Sequence, residues 1–300
     1  MRTTTTDRDG FALVAVLLFL MVVAAVITPF VLAARTDFLL ASGTFRKDRQ
    51  THLAEGLVKL TARQVAGSTE ELNEALRFNS EPVRTVCGDK QIEVRIQDQM
   101  SLVDINAASV DLLDVGFAAM GFPDGDAGKL AELAALFRSP EASDPGGKAK
   151  QLTDGFKFAP FEAVEELYEF PGFAGVAPRR LTGVFTVYGR RETINADNMP
   201  APLDEILPNG PTGRFPYVVT DDEDASRFYR IEVTTRSGGD RTVGFAGSLI
   251  EITDFENARY RVVERSTEPG MAKIAAADFT ATVDCDRLFG EEVAEWLAGT

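Results

Sequence analysis

The stretch Asp9-Gly10-Phe11-Ala12-Leu13-Val14-Ala15-Val16 opens an apolar run that ends near Ala34. About 24 residues pass there without a charge, enough to cross the hydrocarbon core of a bilayer as a helix. Pro29 lies inside the run, where a membrane helix tolerates a kink. Beyond Arg35 the pattern stays helical to about Gly67. Phe38, Leu39, Phe45, Leu53, Leu57, Leu60 and Val65 fall near one face among Arg, Lys, Asp and Gln. The expectation is one long helix, apolar over 11–34 and amphipathic over 35–67, on which everything downstream is carried.

Three readings of its start compete. A signal peptide would be cut after a small residue, and Val31-Leu32-Ala33 offers such a site, yet the run exceeds a usual signal h-region. A plain signal anchor asks nothing of Gly10. A leader cut between Gly10 and Phe11 explains why an aromatic residue follows a glycine at the mouth of the span. Flanking charges do not set the orientation: Arg2 and Arg8 precede the span, and Arg35, Arg46, Lys47 and Arg49 follow it.

The 300 residues suffice for the anchor plus one large or two small soluble domains. A net charge of -15 argues against a nucleic-acid surface, because phosphate backbones call for Lys/Arg patches, and it suits a solvent-exposed domain. Cys87 and Cys285 are the two cysteines. In an oxidising compartment they allow one disulfide between an early strand and the C-terminal tail; two unpaired thiols fit the sequence equally. His52 is the single histidine, which removes His-based zinc sites and triads. Gly-x-Ser-x-Gly, P-loop and dinucleotide fingerprints are missing too, so the sequence reads as that of a non-enzyme.

After the helix the period changes. Val83, Val86, Ile92, Val94 and Ile96 predict two strands joined at Gly88-Asp89. Asp104-Ile-Asn-Ala-Ala108 leads into a helix near Ser109-Val-Asp-Leu-Leu113, capped by Asn106 or Ser109, and a second helix spans about 127–137. Residues 139–155 are rich in Pro, Gly, Ser and Asp and read as a loop. Phe161 to Leu167 reads as a helix stopped at Phe170-Pro171-Gly172-Phe173, and Pro178-Arg179-Arg180-Leu181 starts another. Thr186 to Tyr188 reads as extended, and Leu203 to Leu207 as a short helix. From Pro216 onward apolar and polar residues alternate at 217–219, 228–234, 242–252 and 260–263, with Ser237-Gly238-Gly239-Asp240 as a hairpin turn. The tail adds a strand near 279–283 and a helix over 291–297.

A hydrophobic helix that begins directly after a glycine and runs on into a soluble domain resembles the class III leader of type IV pilins and pseudopilins. The whole order narrows this. Gly10-Phe11, Asp104-Ile-Asn-Ala-Ala108, Pro160-Phe-Glu-Ala-Val-Glu-Glu-Leu167 with Pro171-Gly172, Ile194-Asn195 and Phe228-Tyr-Arg-Ile-Glu-Val233 together resemble the minor pseudopilin K family of type II secretion, over roughly 10–263.

The resemblance implies an α+β fold: a pilin-like long N-terminal helix packed on an antiparallel sheet, with an inserted all-helical domain of sterile-alpha-motif-like or helix-hairpin-helix-like form. The expected parts are a leader (1–10), the membrane part (11–34) and amphipathic part (35–67) of the helix, a β domain (81–103 and 211–265), the insertion (104–210) and a C-terminal extension (266–300). It also implies cleavage before Phe11 and N-methylation of Phe11 by the prepilin peptidase. The site would be the inner membrane, crossed once, with the soluble domain in the periplasm. Its partners would be the I-type and J-type minor pseudopilins, the major pseudopilin and the inner-membrane assembly platform.

Most pilin-like subunits carry a glutamate at the fifth mature position, which pairs with a neighbour's N-terminal amine. Counting from Phe11, that position is Ala15, and pseudopilin K is the member that lacks this glutamate. An unpaired carboxylate in a membrane is costly, so a subunit with no neighbour above it does without one. The bulk of the insertion argues in the same direction, toward a filament tip.

The sequence departs from the family in lacking a Trp- and Asp-rich segment near Ala135 to Pro140, which some members associate with calcium. Asp124 and Asp126, and Asp221, Asp222 and Asp224, are the remaining oxygen-donor clusters; neither has the length of an EF-hand loop, so no cofactor is expected, with calcium at these clusters as the alternative. Two alternatives stay open. One is a minor pilin of a related type IV pilus. The other is a membrane-anchored DNA-binding protein, in which the hairpin at Pro171-Gly172 and the following Arg179 and Arg180 meet phosphate, against the carboxylates of Glu162, Glu165, Glu166 and Glu169.

Overall fold

The computed structural model describes residues 7–67, 76–139, 155, 157–207, 216–220, 226–237, 243–254, 256–257, 259–266 and 282–299. The chain divides into two compact units at Arg49/Gln50. The first unit is helical throughout its described length, the opening part of helix α1 (Asp7–Gly67). Leu13, Leu17, Leu20, Phe30, Phe38 and Phe45 all stand exposed along it. Thr28, Thr36 and Thr44 return their hydroxyls to carbonyls four residues back, which satisfies these polar groups within the helix. Thr28 donates to Ala24 O at 2.6 Å, next to Pro29.

The second unit is built on a five-stranded antiparallel sheet, β1 (Val83–Cys87), β2 (Lys90–Asp98), β7 (Phe228–Ser237), β8 (Val243–Asp254) and β9 (Arg259–Ser266), in the order β1-β2-β7-β8-β9. Strict alternation gives this sheet two unlike faces. Ile92, Val94, Ile96, Ile231, Val233 and Ile250 share one face with Ala54, Leu57, Val58, Ala62, Val65 and Ala66 of α1, and together they form a buried core. The helical residues recur at three- and four-residue steps, so a single stripe meets the sheet. Each fully buried Ile or Leu there contributes about 1.5–3 kcal/mol of transfer free energy. The other face carries Glu93, Arg95 and Gln97 on β2, with Arg230 and Glu232 on β7; Arg95 lies opposite Glu232 and Gln97 opposite Arg230.

Between β2 and β7 the chain folds into its own core, which runs from Leu102 to Val218. Helix α2 (Val110–Ala119) and helix α3 (Asp124–Arg138) are its main elements. Ser109 caps α2, its hydroxyl accepting from Leu112 N at 3.2 Å. The other capping candidate, Asn106, instead clamps a distant strand of chain: its amide donates to Phe161 O at 2.9 Å and accepts from Phe161 N at 2.7 Å. Short helices α4 (Pro178–Thr182) and α5 (Ala201–Asp204) follow, α4 begun by Pro178 and α5 with Pro202 at its second position, starting two residues earlier than the expected 203–207.

Two corrections apply to this insertion. It is not entirely helical, because β3 (Val103–Asp104) pairs with β4 (Phe185–Thr186) and β5 (Ile194–Asn195) with β6 (Val218–Val219), both parallel. The stretch expected as a helix over 161–167 is a 3-10 turn, Val164–Glu169. Phe161, Val164, Leu167 and Phe170 are all buried at a spacing of three, the period of that tighter helix. Two aromatic groups fill the core, Phe117 with Phe122, Phe173 and Phe185, and Phe137 with Phe161 and Phe170.

The tail closes the sheet. Thr282 N and Val283 N both donate to Arg84 O on β1, the position expected as strand 279–283, of which 279–281 lie outside the described residues. Helix α6 (Cys285–Phe289) and helix α7 (Glu291–Gly299) then place Leu288, Phe289 and Leu297 in the same core as α1 and the sheet. The expected hairpin at Ser237-Gly238-Gly239-Asp240 is described up to Ser237, where β7 ends; 238–242 lie outside the described residues.

Candidate functional site

The first surface to consider is the opening of α1. Gly10 and Phe11 both lie within the helix, whose described part begins at Asp7. Ala15 stands exposed one turn further on. The segment from Leu13 has a mean hydropathy of 2.9 over its most apolar window and none of that window is buried, so by length and composition it is able to cross a membrane. The exposed apolar side chains continue past Arg35 to Phe38, Leu39, Leu40 and Phe45. A stripe of that kind in water would be a liability, so it requires lipid or other helices as cover.

The second feature is the staple. Cys87 and Cys285 are joined, with Cα atoms 5.5 Å apart at a sequence separation of 198. Three further bonds fix the tail: Lys90 Nζ donates to Leu297 O at 2.8 Å, Gln64 Nε2 to Leu288 O at 3.1 Å, and Arg84 N to Thr282 Oγ1 at 3.0 Å. Gly88 adopts φ +62° in the β1–β2 turn, and a Cβ there would lie 2.8 Å from Ala298 Cα. The turn thus needs glycine twice over, for its backbone and for the tail packed on it.

Of the candidate metal ligands, Asp124 and Asp126 are among the described residues. Asp124 and Asp126 sit exposed in the first turn of α3, where acidic residues favour the helix N-terminus, and Asp126 accepts from Lys129 Nζ at 3.0 Å. Asp221, Asp222 and Asp224 lie outside the described residues. Among the described residues no group of three or more His, Cys, Asp or Glu is placed to hold a metal. Calcium takes about six to eight oxygens, and the two aspartates of α3 do not supply that set.

The hairpin that raised the DNA-binding alternative has other engagements. Arg179 donates to Glu232 of β7 at 3.2 Å, and the Arg180 guanidinium lies against Gly121. Arg179 is thus ion-paired within the chain, while Arg180 is exposed.

The insertion is tied to the end of β2 by Asp98, a buried carboxylate that the sequence did not single out. Asp98 accepts from Met100 N at 2.8 Å and from Asn198 Nδ2 at 3.2 Å. Burial pushes its carboxyl above the ordinary carboxylate range, against the bonds from Ser226, Met100 and Asn198. Asp104 accepts from Arg190 N at 2.6 Å and Asn106 N at 2.7 Å, and burial raises it in the same way. Glu93 goes the other way: burial opposes its charge, but Arg84 and Arg95 outweigh that and hold it low. The Asp104-Ile-Asn-Ala stretch reads in sequence as the lead into a helix; its partners at Arg190 and Phe161 lie far along the chain.

With this geometry in hand, one solved structure is informative. A chain of the crystal structure of the GspK-GspI-GspJ complex from the type 2 secretion system of enterotoxigenic Escherichia coli is similar to this one at 15% identity and a TM-score of 0.50, covering 79% of this chain and 99% of that chain. The two chains share a fold. The long helix, the antiparallel sheet and the helical insertion belong to that common α+β architecture. No protein-family model matches the chain, and a search of curated proteins returns no match.

Proposed function

We propose that this chain is a minor pseudopilin of the K type, seated at the tip of a type II secretion pseudopilus. It primes pseudopilus assembly there and so supports the export of folded proteins across the outer membrane. The observation that carries the reading is the shared fold, which extends over 99% of a chain from the GspK-GspI-GspJ complex. The exposed apolar opening of α1 supports it, because that surface suits both lipid and neighbouring helices. Ala15 supports the terminal position: it leaves no carboxylate in the membrane in want of an amine.

In this reading α1 anchors the chain in the inner membrane by a single pass, with the second unit in the periplasm. The prepilin peptidase cuts between Gly10 and Phe11 and methylates Phe11. I-type and J-type minor pseudopilins join it at the tip, the major pseudopilin extends the filament below, and the inner-membrane platform drives the assembly. The role is mechanical, with no bond made or broken by this chain's own residues. Mass spectrometry of the N-terminus, on protein extracted from membranes, tests it. An N-methylated Phe11 is the expected end; an intact Met1, or an end at Ala34 or Arg35, rejects the reading.

A further inference from the structure

Asp98 ends β2, and it is 1% exposed where separate pieces of the chain meet. Its Oδ1 accepts from Met100 N at 2.8 Å, at the entry to the insertion. Its Oδ2 accepts from Asn198 Nδ2 at 3.2 Å, 100 positions further along. The Ser226 hydroxyl bonds to it from the return of the chain into β7, and Tyr229 of β7 stands opposite it in the strand register. Moving the insertion away from the end of β2 would therefore bring this carboxyl into water.

Donors and acceptors do not balance at this meeting point. The single hydroxyl hydrogen of Ser226 has two acceptors, the Asp98 carboxylate and Phe228 O at 3.3 Å. Gln97 Oε1 and Ser101 Oγ lie buried in the same stretch with no hydrogen-bond partner among the described residues. A proton on Asp98 relieves the shortage at Ser226: the carboxyl O–H donates to Ser226 Oγ, and the Ser226 hydrogen stays with Phe228 O. Loss of that proton leaves a charge in a dry site, met by neutral donors at Met100, Asn198 and Ser226 and by the charge of Arg191 on the insertion. The other titratable group facing it is the Tyr229 phenol, which burial, and then the Asp98 charge, hold protonated.

We propose that Asp98 is a proton-operated latch: neutral, it holds the insertion against the end of the sheet, and ionised, it favours release of that contact. The release is local, because the core shared by α1 and the sheet is built from other residues. Its sign follows from burial, which holds the folded carboxyl above the ordinary carboxylate value of about 4. Opening the joint lets a proton go, so opening is favoured as pH rises from the ordinary value to the folded one, and the effect levels off above that. Asp104 is raised in the same way, but it accepts from Arg190 N and Asn106 N within the insertion and does not span this joint. The latch goes beyond the pseudopilin reading, and either can fail without the other.

The test is hydrogen exchange of the full chain in detergent, read by mass spectrometry from mild acid to neutral pH and corrected for the intrinsic rate at each pH. Protection of 194–199 and 226–230 should fall as pH rises, by up to about tenfold per pH unit for one released proton, and then level off. Residues 54–66 of α1 should keep theirs. Asp98→Asn carries a permanent donor in place of the acid proton and cannot ionise. Its protection of the two segments should stay, at every pH, near the wild-type level in mild acid. Asn198→Ala removes a donor that favours the ionised form, so it should lower protection and carry the fall to higher pH; it decides the matter if the Asp98 variant fails to fold. The proposal is overturned if wild-type protection of the two segments does not change with pH, or if Asp98→Asn keeps the wild-type dependence. It is also overturned if Asn198→Ala leaves the fall where it was, or if 54–66 lose protection in step, which would make the opening global.

Discussion

Gly244 on β8 lies directly against the backbone of Gln50 on α1. A Cβ on Gly244 would stand 2.2 Å from the Gln50 carbonyl carbon, and the Gln50 carbonyl oxygen accepts from Thr235 Oγ1 at 3.0 Å. At this point the helix meets the sheet by backbone contact, and from Ala54 onward its side chains pack into the shared core. Gly244→Ala should cost about 1–3 kcal/mol or more through forced separation of the two elements. Thermal melting of the purified protein measures it. An unchanged midpoint would mean the helix stands farther from β8 than described.

The Cys87–Cys285 bond closes a loop of 198 residues of sequence. Chain entropy makes such a long closure worth about 2–5 kcal/mol in a native domain. The Cys87→Ala/Cys285→Ala double variant should lose that much in urea unfolding, and reductant should bring the wild type to the same midpoint. Equal midpoints with and without reductant would show that the bond contributes nothing.

Asn106 satisfies both backbone polar groups of Phe161 from 55 residues away. Asn106→Ala leaves that donor and acceptor half-buried without partners, at about 1–3 kcal/mol for a lost group. Hydrogen exchange should show the region 157–170 opening first. Exchange that rises uniformly across the chain would contradict this local role.

Asp98 is raised by burial, so its folded state holds a proton more tightly than its unfolded state. The sign follows: ionising it works against folding, so this contribution strengthens stability as pH falls toward the ordinary carboxylate value of about 4 and weakens it as pH rises through the folded pKa. Glu93, held low, contributes oppositely; its stabilisation is present above the ordinary value and is lost as pH falls through its depressed pKa. Asp98→Asn should therefore reduce the stabilisation gained on mild acidification, to which Asp104 also contributes, and leave the loss at stronger acid in place. Melting curves from neutral to acid pH, for both proteins, decide it.

Much of this architecture is legible in the residue pattern. The alternation at 228–234 and 242–252 reads directly as β7 and β8, because one face of each strand is apolar and the other is not. The long helix follows from an uncharged run that no soluble core requires. The turn at 161–170 misleads because periods of 3.0 and 3.6 differ little over three repeats, and a clamp from Asn106 decides between them. The make-up of the sheet's polar face was out of reach for another reason. Arg95 and Arg230 lie 135 positions apart, the difference between their numbers, and pairing of β2 with β7 brings them to one face. Local pattern reports which side of a strand is polar, and the partner across the gap is set by topology.

The tail seals the edge of β1 and is bonded to it, yet it lies 198 residues downstream. A chain made at roughly 5–20 residues per second therefore leaves that edge uncovered for roughly 10–40 seconds. During this interval β1 offers unpaired amides and carbonyls to any other extended segment. Correct production of the protein thus depends on timing as well as on sequence: whatever shields β1 in that gap, whether a chaperone or tethering at the membrane, is a requirement built into the order of the chain.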